Sequence, residues 1–90
     1  MNWTLEVVVV PVSDIDRAKQ FYAEQLGFNV DHDVQINEGT RIVQLTPRGS
    51  GCSIVMRSDA TEMPAGSLQG LQLVVNDIKA ARAELISRGM

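Results

Sequence analysis

Histidine and cysteine each occur only once in this 90-residue chain, as His32 and Cys52. A lone cysteine excludes an internal disulfide, and its place in the run Cys52-Ser53-Ile54-Val55-Met56 reads as a buried structural thiol rather than a nucleophile. Basic residues are also scarce. With 8 Lys and Arg against 11 Asp and Glu, the net charge is -3, and no face gathers enough cations to hold phosphates, which argues against nucleic acid or an anionic membrane as a partner. No apolar run approaches the ~20 residues that span a bilayer, and Met1-Asn2-Trp3-Thr4 contains no basic segment leading into an apolar core. The expected setting is cytoplasmic.

What is present is an apolar strand running straight into a helix start, and it occurs twice. Leu5 to Ile15 contains Val12, Asp14 and Ile15, and Leu68 to Ile78 contains Val75, Asp77 and Ile78, each pair separated by one offset of 63 (75 minus 12, 77 minus 14). Ala18 and Ala81 keep the same offset, so the chain reads as a duplicated strand-helix unit. A hydrophobic content of 44% is enough for a single domain, although at this length only about 60–65% of the unfolded surface can be buried.

In chain order, Trp3 to Val12 predicts a strand apolar on both faces, hence central, with Leu5, Val7 and Val9 on one side and Val8, Val10 and Val12 on the other. Ser13 or Asp14 caps a helix over Ile15 to Leu26, with Ile15, Ala18, Phe21, Tyr22 and Leu26 on its apolar stripe. Gly27 ends it. From Phe28 the period changes to two, placing Phe28, Val30, His32, Val34 and Ile36 on one face. By the same alternation Asp31 and Asp33 point away from His32 and cannot join it on one ion. Asn37-Glu38-Gly39 predicts a turn, Thr40 to Thr46 a third strand, Pro47 to Gly51 a turn, and Cys52 to Arg57 a fourth strand. Residues 1–57 thus form a βαβββ module, 58–67 a linker, and 68–90 a strand over Leu68 to Val75 followed by a helix over Asp77 to Ser87 with Ile78, Ala81, Leu85 and Ile86 inward.

The order Leu5-Glu6, Val8, Val12-Ser13-Asp14, Asp16, Ala18, then Phe21-Tyr22, then Leu26-Gly27-Phe28 resembles the opening module of the glyoxalase, bleomycin-resistance and extradiol-dioxygenase superfamily, also called the vicinal oxygen chelate fold. Val43 to Pro47 followed by Gly51 to Ile54 is similar to an uncharacterised bacterial branch of that group. The resemblance runs from Leu5 to Gly89. It implies an α+β fold, a βαβββ module with a mixed, curled sheet followed by the βα start of a second module, and a ligand cleft between paired modules. The second module lacks the strands that would close its sheet, so the chain is expected either to be a fragment of a longer protein or to close its cleft as a homodimer with a second copy.

Enzymes of this family carry His or Glu on the first and last strands of each module. By position those ligands fall on Val7, Gly70 and Val55, none of which offers a lone pair, so no metal and no cofactor is expected at the family site. His32 reads as the end of an apolar stripe, with a ligand or general-base role as the alternative. Met56, Met63 and Met90 read as packing or linker residues. If the family's ligand positions face inward, the cleft is lined by Val7 and Val9 with Leu5, by Ser53, Val55 and Arg57, by Gln72 with Gly70 and Val74, and by Gln44 and Thr46 with Ile42. That surface suits metal-independent binding of a small, partly apolar molecule and contains no positioned acid-base pair to mark it as catalytic. A metal-dependent lyase or dioxygenase with ligands from absent strands or another chain is the competing class, and a pure assembly domain with an occluded cleft is the third.

Overall fold

The computed structural model describes residues 1–58 and 63–90; part of the expected linker, 59–62, lies outside the described residues. The elements are β1 (Val7–Val9), α1 (Ile15–Gln20) continued by a π-helical turn (Phe21–Gln25), β2 (Asn29–Asn37), β3 (Thr40–Thr46), β4 (Ser53–Arg57) and α2 (Ile78–Ser87). They form one four-stranded sheet in the order β1-β4-β3-β2. β1 runs parallel to β4, while the other neighbours are antiparallel, which makes the sheet mixed.

The βαβββ order follows from local chemistry. Asp14 has extended backbone and its Oδ1 accepts the Arg17 N–H at 3.1 Å, satisfying one of the free amides that open α1. Asp77 repeats this at the offset of 63, its Oδ1 accepting from Lys79 and Ala80 at 3.0 and 3.1 Å. The duplication seen in the sequence therefore survives as two caps of the same geometry. The first helix ends at Gly27, whose φ of +74° an L side chain rarely adopts, and the Phe28 N–H then donates back to the Tyr22 carbonyl at 2.9 Å.

α1 and its π-helical turn cover one face of the sheet. Val10, Phe28, Val43, Leu45, Ile54 and Met56 are buried there, with Ile15, Ala18, Tyr22, Ala23 and Leu26 packed against them. Of the expected helix stripe, Phe21 alone is not part of this packing; its ring meets Tyr22 edge-on, with centroids 5.1 Å apart.

Three expectations are corrected. β1 is far shorter than Trp3 to Val12 and stands at the edge of the sheet rather than its centre. Its only partner among the described residues, β4, starts at Ser53, so the ladder begins at Val7↔Ser53 and leaves Trp3 and Leu5 without a facing strand, 86% and 77% exposed. Leu68 to Val75 forms no strand among the described residues: Gly70 turns the backbone to φ +85°, incompatible with a pleat, and no sheet edge pairs with the segment. Leu68 packs on the core, but Leu71, Leu73, Val74 and Val75 are exposed. In α2 only Ala81 and Leu85 are half-buried, while Ile78 and Ile86 face solvent, because little of the sheet reaches that helix.

Candidate functional site

The face of the sheet opposite α1 is the candidate site, and its membership follows from the register. Residues paired across a ladder share a face. Val9 pairs with Val55, Val55 with Gln44, and Gln44 with His32, so these four form one row on the open face. Val7 pairs with Ser53, and Arg57 with Ile42 and Ile42 with Val34, giving flanking rows on the same side. The intervening row, Val8, Ile54, Leu45 and Val30, turns toward α1.

Of the residues expected to line a cleft, Val7, Val9, Gln44, Thr46, Ser53 and Val55 are thus brought onto one face. Arg57 occupies the end of its row and also lines a hollow of about 570 Å³ at the margin of the sheet, with Pro11, Asp14, Gln35, Arg41 and Met63 among its other walls. Gln72 is not brought to the site; it is exposed on the segment that forms no strand.

The expected stripe of β2 is also corrected. Val30 pairs with Leu45 and His32 with Gln44, so Asp31 is an extra residue, a bulge that reverses the alternation. Phe28 and Val30 stay on the helix side, but His32 and Val34 move to the open face, and Asp33 moves to the helix side. The bulge also undoes the expectation that Asp31 and His32 point apart, since the Asp31 carboxylate accepts the hydroxyl proton of Thr46, an open-face residue.

A polar chain joins Ser53, Thr46, Asp31 and Asn29 at this end of the face. The Thr46 hydroxyl donates to Asp31 Oδ2, so its single proton is committed, and across the 2.7 Å contact with Ser53 it must accept. The order is therefore Ser53 to Thr46 to Asp31. On the other carboxylate oxygen, Oδ1, the Asn29 amide donates at 2.9 Å. The Thr46 hydroxyl first, then the Asn29 amide, hold the Asp31 carboxyl below its ordinary range, with burial opposing and the neighbouring His32 and Gln44 assisting. Alternation within β2 set Asn29 and Asp31 opposite Phe28, but they were missed as site residues because their contact with Thr46 is a property of two strands at once. The one signal in the sequence is a polar Asn-x-Asp at the very start of an otherwise regular alternation.

On the helix side, Arg41 forks onto Asp33 at 2.9 and 2.8 Å and reaches Asp16 at 2.6 Å, while Lys19 meets Asp33 at 2.6 Å. These charges tie β2 and β3 to α1 and are satisfied by one another.

The residues present do not fit the family's metal. Val7 and Val55 share the open face but carry only methyl groups, Gly70 lies outside the sheet, and no three His, Cys, Asp or Glu side chains cluster among the described residues. What the face can do chemically is hold an apolar surface over Val7, Val9, Val55, Ile42 and Val34, with hydrogen-bonding groups at one end.

The comparisons agree with this geometry. The family model for the glyoxalase/bleomycin resistance protein/dioxygenase superfamily matches residues 4–90. A glyoxalase/bleomycin resistance protein from Streptomyces sp. CB03234 is 40% identical, with 96% of this chain and 75% of that one covered and a TM-score of 0.80. TnmS3, an antibiotic binding protein from the same organism, is 39% identical over 98% of this chain and 72% of its own, with a TM-score of 0.83. Methylmalonyl-CoA epimerase from Mycobacterium tuberculosis is more distant, 27% identical over 99% and 69%, with a TM-score of 0.54. No curated protein matches the chain. A βαβββ order, a mixed open sheet with one face free, and a family match spanning nearly every residue lead to one conclusion: the chain belongs to the glyoxalase/bleomycin resistance protein/dioxygenase superfamily.

Proposed function

We propose that this chain binds a small, partly apolar molecule on the open face of its sheet, without a metal ion. The observation that carries the reading is the register: Val7, Val9 and Val55 form an apolar floor continuous with the Ser53, Thr46 and Asp31 hydrogen-bond chain. An apolar surface with a few convergent polar groups is the usual make-up of a small-molecule site. The antibiotic-binding relative supports the same class of ligand here, a compound of antibiotic size. Its cleft would be completed in a homodimer. The motivating features are the free edge of β1 and the exposed Trp3, Leu5, Leu71 and Val74, which a second copy would cover. A cytoplasmic setting belongs to the same proposal.

The test is a thermal-shift screen of planar and polycyclic antibiotics, in EDTA, against the wild type and Val9→Glu. A ligand present at ~100 times its Kd adds ~2.7 kcal/mol of stability. Wild-type hits lost in Val9→Glu support the reading. Hits that survive Val9→Glu, or that appear only with added Zn²⁺ or Mn²⁺, refute it, the latter in favour of a metal-dependent lyase or dioxygenase. Sedimentation showing a monomer at micromolar concentration removes the homodimer.

A further inference from the structure

We propose that Asp31 is the residue that sets ligand specificity on this face, selecting molecules that place a protonated amine beside an apolar ring system. This rests on the binding reading above and deepens it by naming the polar half of the ligand. Three features carry it. Asp31 follows Asn29, which pairs with the open-face Thr46, and its carboxylate lies on the same face as Val9, Val55 and Gln44, while the bulge turns the neighbouring acid Asp33 to the helix side and leaves Asp31 as the acid of β2 on this face. Its orientation is fixed from both sides, Oδ2 by Thr46 and Oδ1 by Asn29, so it is presented to a ligand without further loss of side-chain freedom. The direction of the hydroxyl chain, Ser53 into Thr46 into Asp31, points donors at the carboxylate and sustains its negative charge.

Each carboxylate oxygen can accept more than one hydrogen bond. Thr46 supplies one to Oδ2 and Asn29 one to Oδ1, with the Gln44 amide beside them, and the remaining capacity is open to an N⁺–H donor. The same face also carries His32 beside Asp31 and Arg57 in the row farthest from it, and the cationic cluster of Lys19 and Arg41 is turned to the opposite side, where it is engaged by Asp33 and Asp16. The open face at this end is therefore suited to a cation and unsuited to an anion.

A matched set with one ring system isolates the polar group: 1-naphthylmethylammonium, 1-naphthalenemethanol and 1-naphthylacetate, titrated by calorimetry at neutral pH into the wild type and Asp31→Asn. Asn keeps the size and one acceptor oxygen, and circular dichroism verifies the fold. The expected result is an affinity order of ammonium, alcohol, acetate in the wild type, with an ammonium preference of about fivefold over the alcohol, as for a solvent-accessible ion pair. In Asp31→Asn that preference disappears while the alcohol binds as before. Amide shifts in the wild type on adding the ammonium should centre on residues 29–32, Thr46 and Ser53, a readout that needs no variant. If the alcohol binds but the two proteins treat the ammonium alike, or the shifts centre elsewhere, the specificity role of Asp31 falls and the binding reading stands. If none of the probes binds, both fall.

Discussion

Asp33→Asn tests the bulge in β2 through stability. With the bulge, Asp33 faces α1 and accepts from Arg41 Nε at 2.9 Å, Arg41 Nη2 at 2.8 Å and Lys19 Nζ at 2.6 Å. The side chains of Asp33 and Arg41 are 24% exposed and that of Lys19 33%, so solvent screens the network. Each such pair contributes up to about 1 kcal/mol, and the forked geometry places the total at about 1–2 kcal/mol at neutral pH. For a domain of this size the loss corresponds to about 5–10 °C in Tm. The pH dependence has a definite sign. Arg41 first, then Lys19, hold the Asp33 carboxyl well below the usual carboxylate range, against a smaller opposing effect of burial. A carboxyl depressed in the folded state contributes its full stability above the unfolded value, near 3.9, and loses it as the pH falls from there toward the folded value. Thermal unfolding followed by circular dichroism should therefore show a constant gap between wild type and Asp33→Asn down to about pH 5, then a narrowing gap below about pH 4. Other carboxylates titrate in both proteins and cancel in the difference. Curves that coincide at neutral pH, or that run parallel to about pH 3, would refute the placement of Asp33 on the helix side and the bulge with it.

Leu45 is fully buried beneath α1, so Leu45→Ala should cost about 3 kcal/mol in urea unfolding, whereas Val74→Ala, at a side chain 95% exposed, should stay within about 0.5 kcal/mol at high dilution. An equal cost for the two would displace the core from the sheet-helix interface. Val7→His with Val55→Glu puts two donor side chains on the open face of neighbouring strands, and this double variant should gain a Zn²⁺-dependent rise in Tm that wild type and His32→Ala both lack. One tight metal equivalent in the wild type, lost in His32→Ala, would refute the metal-independent site.

The elements that could be read from the sequence are those whose partners lie nearby. Thr40 to Thr46 carries its own alternation between two turns, and the structure reproduces it as β3, with Val43 and Leu45 under the helix and Gln44 and Thr46 on the open side. The helix caps at Asp14 and Asp77 are local as well, each requiring only a side-chain oxygen and the amides just after it. Where the reading failed, the deciding contact was remote. Leu5 to Val12 is apolar on both faces, but the length of β1 is set by where β4 begins, some 45 residues on (53 minus 8). Leu68 to Val75 has the composition of a strand, and composition cannot supply a neighbouring edge or straighten Gly70.

The open face shows why its regular strands were legible and the charged groups of β2 were not. Val7, Val9 and Val55 belong to strands whose pleat is regular, so parity alone assigns them. In β2 one inserted residue reverses parity from His32 as far as Gln35, where a second irregularity follows, and the alternation before and after the bulge serves different faces. An unpaired residue in a ladder is costly unless its polar groups find other partners. Asp31 finds them in Thr46 and Asn29, which belong to β3 and to the start of β2 itself. These hydrogen bonds stabilise the irregularity and hold the Asp31 carboxylate in place, while the reversal of parity turns Asp33 to the helix side and His32 to the open face, so the departure from regular pleating decides which ionisable groups of β2 the candidate site receives.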